Sequence, residues 1–210
     1  MTGAAYILYG RAGAGSLAPQ ILLEEIGVPY KLVRIGKSPA EIEDFRRVNP
    51  AGKIPALVLP DGTAVSESAA ILIHLTQAHP AADLAPAAGS SAHARFLQWM
   101  VFLSANVYEA ALRYYYAERY AIAGSSVAAA IKARALTDYG HQLALIHDAL
   151  SPYVLGPKLT AVDPYLHMLA GWNPGGESAL IARLPKLAQH AELLRQRPAT
   201  RKAERDHAES

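Results

Sequence analysis

The 210-residue sequence has no cysteine. Disulfide frameworks, thiolate metal sites and cysteine nucleophiles are thereby excluded together. Neither sign of charge dominates: twenty Lys and Arg against eighteen Asp and Glu leave +2. That balance is too even for a chain whose main partner is nucleic acid or an anionic membrane. No apolar run approaches the roughly 20 residues of a spanning helix. No basic cluster precedes an apolar core near the N-terminus, so no signal peptide is expected. The eight histidines show no HExxH or other tight ligand pairing, and no metal site is expected. Hydrophobic residues, in contrast, make up 51% and charged residues 18%, which excludes disorder as the dominant state. The expectation is a soluble, cytoplasmic protein of one large domain or two small ones.

The chain changes texture near residue 80. Before it, strands and helices alternate: a buried strand at Tyr6–Tyr9, a Gly-rich loop Gly10–Gly15, and a helix Leu17–Ile26 ended by Gly27. A strand Tyr30–Ile35 then completes a βαβ unit, which favours a parallel pair. A short helix Pro39–Arg47 and the turn Asn49–Gly52 lead to a hairpin, Ala56–Leu59 returning through Thr63–Val65, and a helix from Ser66 to Gln77. The stretch Pro80–Ser91, rich in Ala, Pro, Gly and Ser, reads as a linker. Beyond it helices are expected at Ala92–Ile122, Val127–Leu150, Asp163–Trp172 and Pro185–Arg197, with a fraying tail from Ala199. The fold class is α/β plus all-α: a domain over residues 1–80, a linker at 81–90 and a helical domain over 91–210.

The first loop invites three comparisons that its chemistry rejects. Ser16 stands where a phosphate-binding loop needs lysine. Gly13–Ala18 has the context of a dinucleotide fingerprint, but Pro19 lies in the first helical turn and the remaining parallel strands are missing. A nucleophile elbow around Ser16 lacks both outer glycines. What remains is a helix start with amides and a hydroxyl, a place that suits an anion. Ser16 as a simple helix cap stays open.

Two further segments narrow the reading. In Asn49-Pro50-Ala51-Gly52-Lys53-Ile54-Pro55-Ala56-Leu57, a proline immediately precedes an apolar strand. It must sit at the strand's start, and the backbone before it, at Ile54, can pair with an extended peptide. In Asp61–Ile71, Glu67 and Ser68 fall at a helix start. There Glu67 can meet an ammonium group while Ser68 takes up a carboxylate. Together these suit an α-amino acid head group on a peptide-like body.

With these motifs the sequence resembles the cytosolic glutathione S-transferase family. Three are Tyr6–Ile26, Asn49–Leu57 and Asp61–Ile71; a fourth is Tyr153–Tyr165, where Thr160 and Asp163 match a Ser/Thr-x-x-Asp capping box. They stand in the family's order and span most of the chain. The resemblance implies a thioredoxin-like N-terminal domain, a C-terminal helical bundle and a homodimer. It implies that Pro55 is the family's cis-proline, with Ile54 holding the cysteinyl part of glutathione, Glu67 and Ser68 the γ-glutamyl end and Lys53 the glycine carboxylate. Ser16-Leu17-Ala18-Pro19 looks like the bacterial beta-class loop, in which a cysteine precedes the serine; Gly15 stands there instead, so a protein–glutathione disulfide at this loop is impossible.

The activity implied is conjugation of the glutathione thiolate to small hydrophobic electrophiles, with glutathione as co-substrate and no other cofactor. A thiol of pKa about 8.5 is mostly protonated at neutral pH, so a donor to sulfur is needed. Ser16 is the first candidate and Tyr9, ending the first strand, the second. An electrophile pocket is expected along the first long helix of the second domain, at Asn106, Tyr108 and Tyr115. The rival reading is a non-catalytic glutathione-binding or interaction protein on the same fold.

Overall fold

The computed structural model describes residues 5–123, 126–173 and 183–208. The chain divides into two compact units, Met1–Ala85 with Leu194–Ser210, and Pro86–Leu193.

In the first unit, strand β1 (Tyr6–Gly10), helix α1 (Leu17–Ile26) and strand β2 (Tyr30–Arg34) form the expected crossover, with β1 and β2 parallel. Gly27 ends α1 in the left-handed conformation, its N–H donating to the Leu23 carbonyl at 3.0 Å. Helix α2 (Pro39–Phe45) opens on a capping box: the Ser38 hydroxyl accepts from the Glu41 amide, and the Glu41 carboxylate accepts from the Ser38 amide. Strands β3 (Ala56–Val58) and β4 (Ala64–Ser66) pair antiparallel, and helix α3 (Ser68–Ala78) follows. The sheet order is β2-β1-β3-β4. Leu8, Ile21, Leu22, Leu57, Ile71, Leu72 and Leu75, all fully buried, make its core.

The second unit is helical: α4 (Ser91–Phe102), a π-helical turn Leu103–Tyr108, α5 (Glu109–Tyr115), α6 (Ala128–Ala149) and α7 (Val162–Gly171). Helix α8 (Pro185–Arg195) runs to the unit boundary. The single long helix expected over Ala92–Ile122 is thus interrupted and ends at Tyr115. A π-turn adds one residue to the turn without moving Leu103 and Val107 off the buried face, so the apolar spacing conceals it. The Thr160–Asp163 box is only half formed. Asp163 accepts the Thr160 amide at 2.7 Å, but the Thr160 hydroxyl donates to the same carboxylate at 3.1 Å rather than accepting from an amide. Val154 N–H (2.9 Å) and His190 Nε2 (3.1 Å) complete the ring of groups around this fully buried side chain.

The largest departure is at the end. Residues 199–208 do not fray; they form helix α9 (Pro198–Ala208), and α9 belongs to the first unit, not to the helical one. Its attachment is polar. Arg197 binds Glu25 bidentately at 2.5 and 2.6 Å, Lys202 pairs with Glu24, and the buried Gln20 amide donates to Asp206 at 2.7 Å. His207 is buried at the far end. Burial above all, then nearby Arg34, holds its pKa below the usual histidine value, with Asp206 acting weakly the other way. The sign follows: below about pH 6.5 the unfolded histidine takes a proton that the folded one resists. Docking of α9 is therefore expected to weaken as pH falls through that value. His207→Gln should flatten the decline of the melting temperature between about pH 7 and 5; an unchanged slope would refute the assignment.

Candidate functional site

The sheet's register brings the scattered motifs to one edge. Val33, Tyr9, Ala56 and Ser66 lie side by side across the four strands. Because β3 runs antiparallel to both β1 and β4, the end of β1, the start of β3 and the end of β4 share that edge. Just beyond the row stand the first loop, Ile54–Pro55 and Glu67–Ser68. Residues separated by about fifty positions in sequence thus surround one place.

Each segment is held there by identifiable bonds. The Ile54–Pro55 peptide is cis, Pro55 is buried, and Ile54 precedes β3, so its backbone lies outside the ladder. Asn49, also buried, fastens the segment before it: its side-chain amide donates to the Lys53 carbonyl at 2.5 Å and its oxygen accepts from the Ala51 amide at 3.2 Å. Arg46 adds a bond to the Pro50 carbonyl at 2.8 Å. Lys53 itself is exposed. Glu67 is exposed and adopts φ 70°, outside the regions open to most residues, and its side chain makes no capping bond. Ser68 is buried, and its hydroxyl reaches the Gly15 carbonyl across a long 3.5 Å bond, tying the start of α3 to the first loop.

The first loop is where expectation and structure part. Ser16 is fully buried. Its Oγ donates to the Arg11 carbonyl at 3.2 Å and accepts the Arg11 amide at 3.1 Å, closing the loop on itself. Gly10 makes room for this: a Cβ there would lie 2.5 Å from Ser16 Oγ. Tyr9 is half-buried with its ring against Phe45, centroids 5.5 Å apart. The hydroxyl that the sequence offers to sulfur is thus engaged within the fold.

In the helical unit Asn106 is exposed on the π-turn. The ring of Tyr108 meets Trp172 edge-on at 5.2 Å, and the Tyr115 hydroxyl donates to the Trp172 carbonyl at 2.6 Å. Two of the three residues expected at the electrophile pocket therefore converge on Trp172, which sequence spacing did not single out. A cavity of about 500 Å³ in the same unit, lined by Leu150, Pro152, Lys186 and Glu192 among others, includes none of the three.

Comparison with known proteins agrees with the geometry. The family model described as "Glutathione S-transferase, N-terminal domain" matches residues 16–78. A GST-like protein of Escherichia coli K12, YncG, itself uncharacterised, is 30% identical over 87% of this chain and 95% of its own. The structure of a sphingomonad glutathione S-transferase complexed with glutathione superposes with a TM-score of 0.82 at 33% identity, over 97% of this chain and all of that one. A glutathione transferase homologue from Sulfitobacter with bound glutathione gives 0.88 at 26% identity, over 97% and 98%. The chain belongs to the glutathione S-transferase family.

In this glutathione S-transferase the first loop is closed by one of its own side chains. Gly15 precedes Ser16, whose hydroxyl is turned inward to the Arg11 backbone. The sequence missed Asn49, Arg11 and Trp172 as parts of the candidate site. Asn49 carries a signal in its place before Pro-x-Gly, where an Asx turn is common. Arg11 and Trp172 carry none, because their partners are remote in sequence.

Proposed function

We propose that the protein binds glutathione at the sheet edge and conjugates its thiolate to small hydrophobic electrophiles. The supporting observation is the convergence of Ile54–Pro55, Glu67–Ser68 and the first loop beyond the row Tyr9–Ala56–Ser66. An extended tripeptide offers a backbone for Ile54, an ammonium group for Glu67 and a carboxylate for Ser68 or Lys53. Glutathione bound in related structures supports the same reading. The thiolate is stabilised by the loop's amides and the positive end of α1, with Ser16 shaping the loop instead of donating to sulfur. Lowering a thiol pKa by about two units corresponds to roughly 2.7 kcal/mol, within reach of one or two charge-assisted bonds. Asn106, Tyr108 and Tyr115, with Trp172, receive the electrophile. We place the protein in the cytoplasm as a homodimer; among the described residues no helix is long and apolar enough to cross a membrane.

The deciding experiment is a melting shift with glutathione followed by turnover of an electrophile panel. Millimolar glutathione should raise the melting temperature, and at least one aromatic or unsaturated carbonyl electrophile should be conjugated. A melting shift without turnover of any electrophile would favour the binding-module reading. Light scattering should return twice 22.5 kDa; the monomer mass would refute the dimer.

A further inference from the structure

Arg11 lies at the start of the first loop with its peptide and its side chain both engaged, in different directions. Its amide and carbonyl are held by Ser16 Oγ. Its guanidinium reaches the other way: Nε donates to the Ile35 carbonyl at 2.9 Å, and Nη2 donates to the Gly36 carbonyl. A backbone bond from the Ile35 amide to the Gly10 carbonyl, 2.9 Å, runs alongside. On the acceptor side, Glu41 of the α2 capping box lies against Gly36, leaving no room for a Cβ there, and its carboxylate accepts from the Gly36 backbone. The Glu41 carboxylate is also near enough to feel the Arg11 charge.

These contacts describe a clamp. A glycine-rich segment has many accessible conformations and loses much entropy when fixed. Gly13 and Gly15 bracket the loop's tip, and Gly13 has φ 65°. Residues from Arg11 to Ser16 nevertheless form a closed ring, bolted to the end of β2 on one side and, through Gly15, to Ser68 on the other. A planar fork bridging two consecutive carbonyls does this better than a flexible ammonium group, because its donors are fixed relative to one another. We propose that Arg11 is a positioning residue: its guanidinium, anchored on the Ile35 and Gly36 carbonyls, holds the loop amides in the arrangement that stabilises the bound thiolate. The proposal rests on the glutathione reading above and adds the device that orders the loop.

The test compares Arg11→Met and Arg11→Lys with wild type, and with Arg47→Met, an exposed arginine on the surface of the same unit, as control. Three quantities are measured: amide hydrogen exchange over residues 11–16 without ligand, the thiol pKa of bound glutathione from thiolate absorbance, and the dissociation constant of S-methylglutathione, which has no ionisable thiol. For Arg11→Met, loop exchange should rise about tenfold and the bound-thiol pKa by about one unit, from about 6.5 to about 7.5, leaving roughly threefold less thiolate at pH 7. S-methylglutathione affinity should change less than about twofold, so kcat falls while KM holds. Arg11→Lys should lie between, and Arg47→Met should match wild type. A folded Arg11→Met with wild-type exchange overturns the clamp. Faster exchange with an unchanged bound-thiol pKa overturns its role toward sulfur. Wild-type protein that binds no glutathione would refute the functional reading instead, with the exchange measurement still deciding the clamp. Should Arg11→Met fail to fold, Arg11→Lys, which keeps the charge and loses the fork, decides by the same criteria.

Discussion

Asp163→Ala is expected to lower the unfolding free energy by about 3–5 kcal/mol, the largest effect of any single substitution considered. The carboxylate has no exposure to water and accepts from two backbone amides, one hydroxyl and one imidazole. Alanine removes the acceptor and leaves those donors buried; each orphan costs about 1–3 kcal/mol before relaxation. His190, 1% exposed, loses the group that its Nε2 faces. Thr160→Val deletes one bond and keeps the carboxylate, so about 1 kcal/mol is expected. Denaturant titration with both variants checks the pair: the midpoint should fall at nearly constant slope. An Asp163→Ala protein within 1 kcal/mol of wild type would show that the cluster is relaxed at little cost.

The second large effect concerns ligand. Glu67→Ala should weaken glutathione binding more than tenfold, because the ammonium group loses its only proposed counter-charge. Here binding and stability pull apart. Glu67 holds a positive φ that an L-residue adopts at a cost of about 1–3 kcal/mol, and its side chain contributes no cap. Glu67→Gly relieves that strain, less the entropy that glycine adds to the unfolded chain. It should therefore melt higher than wild type by the equivalent of about 1 kcal/mol while binding glutathione as poorly as Glu67→Ala. Calorimetry that finds equal affinity in all three proteins would remove Glu67 from the site.

Much of the first unit was legible because local and global signals agree there. The apolar spacing of Leu17–Ile26 with Gly27 marks α1, and a helical crossover dictates the parallel β1–β2 pair. The positions of Pro55, Glu67 and Ser68 at element starts were readable too, since proline and helix N-termini have strong local meaning. Where a side chain turns was not. Ser16 reads as an available hydroxyl until Gly10 and Arg11 are seen folded around it. Helix α9 escaped for the opposite reason: its sequence is polar, and its partners Gln20, Glu24 and Glu25 lie more than 170 residues earlier. Periodicity reports burial of apolar faces and is blind to a helix docked through charges.

That helix also sets a timetable. A chain made from its N-terminus presents Gln20, Glu24 and Glu25 while every residue of the helical unit is still being added, and their partners Arg197, Lys202 and Asp206 emerge afterwards. The helical unit is contiguous and can close as soon as it is synthesised. The sheet-bearing unit is interrupted by it and is finished second, although it begins first. A released chain ending before residue 197 should carry a protected helical unit and an α1 whose outer face still exchanges with water.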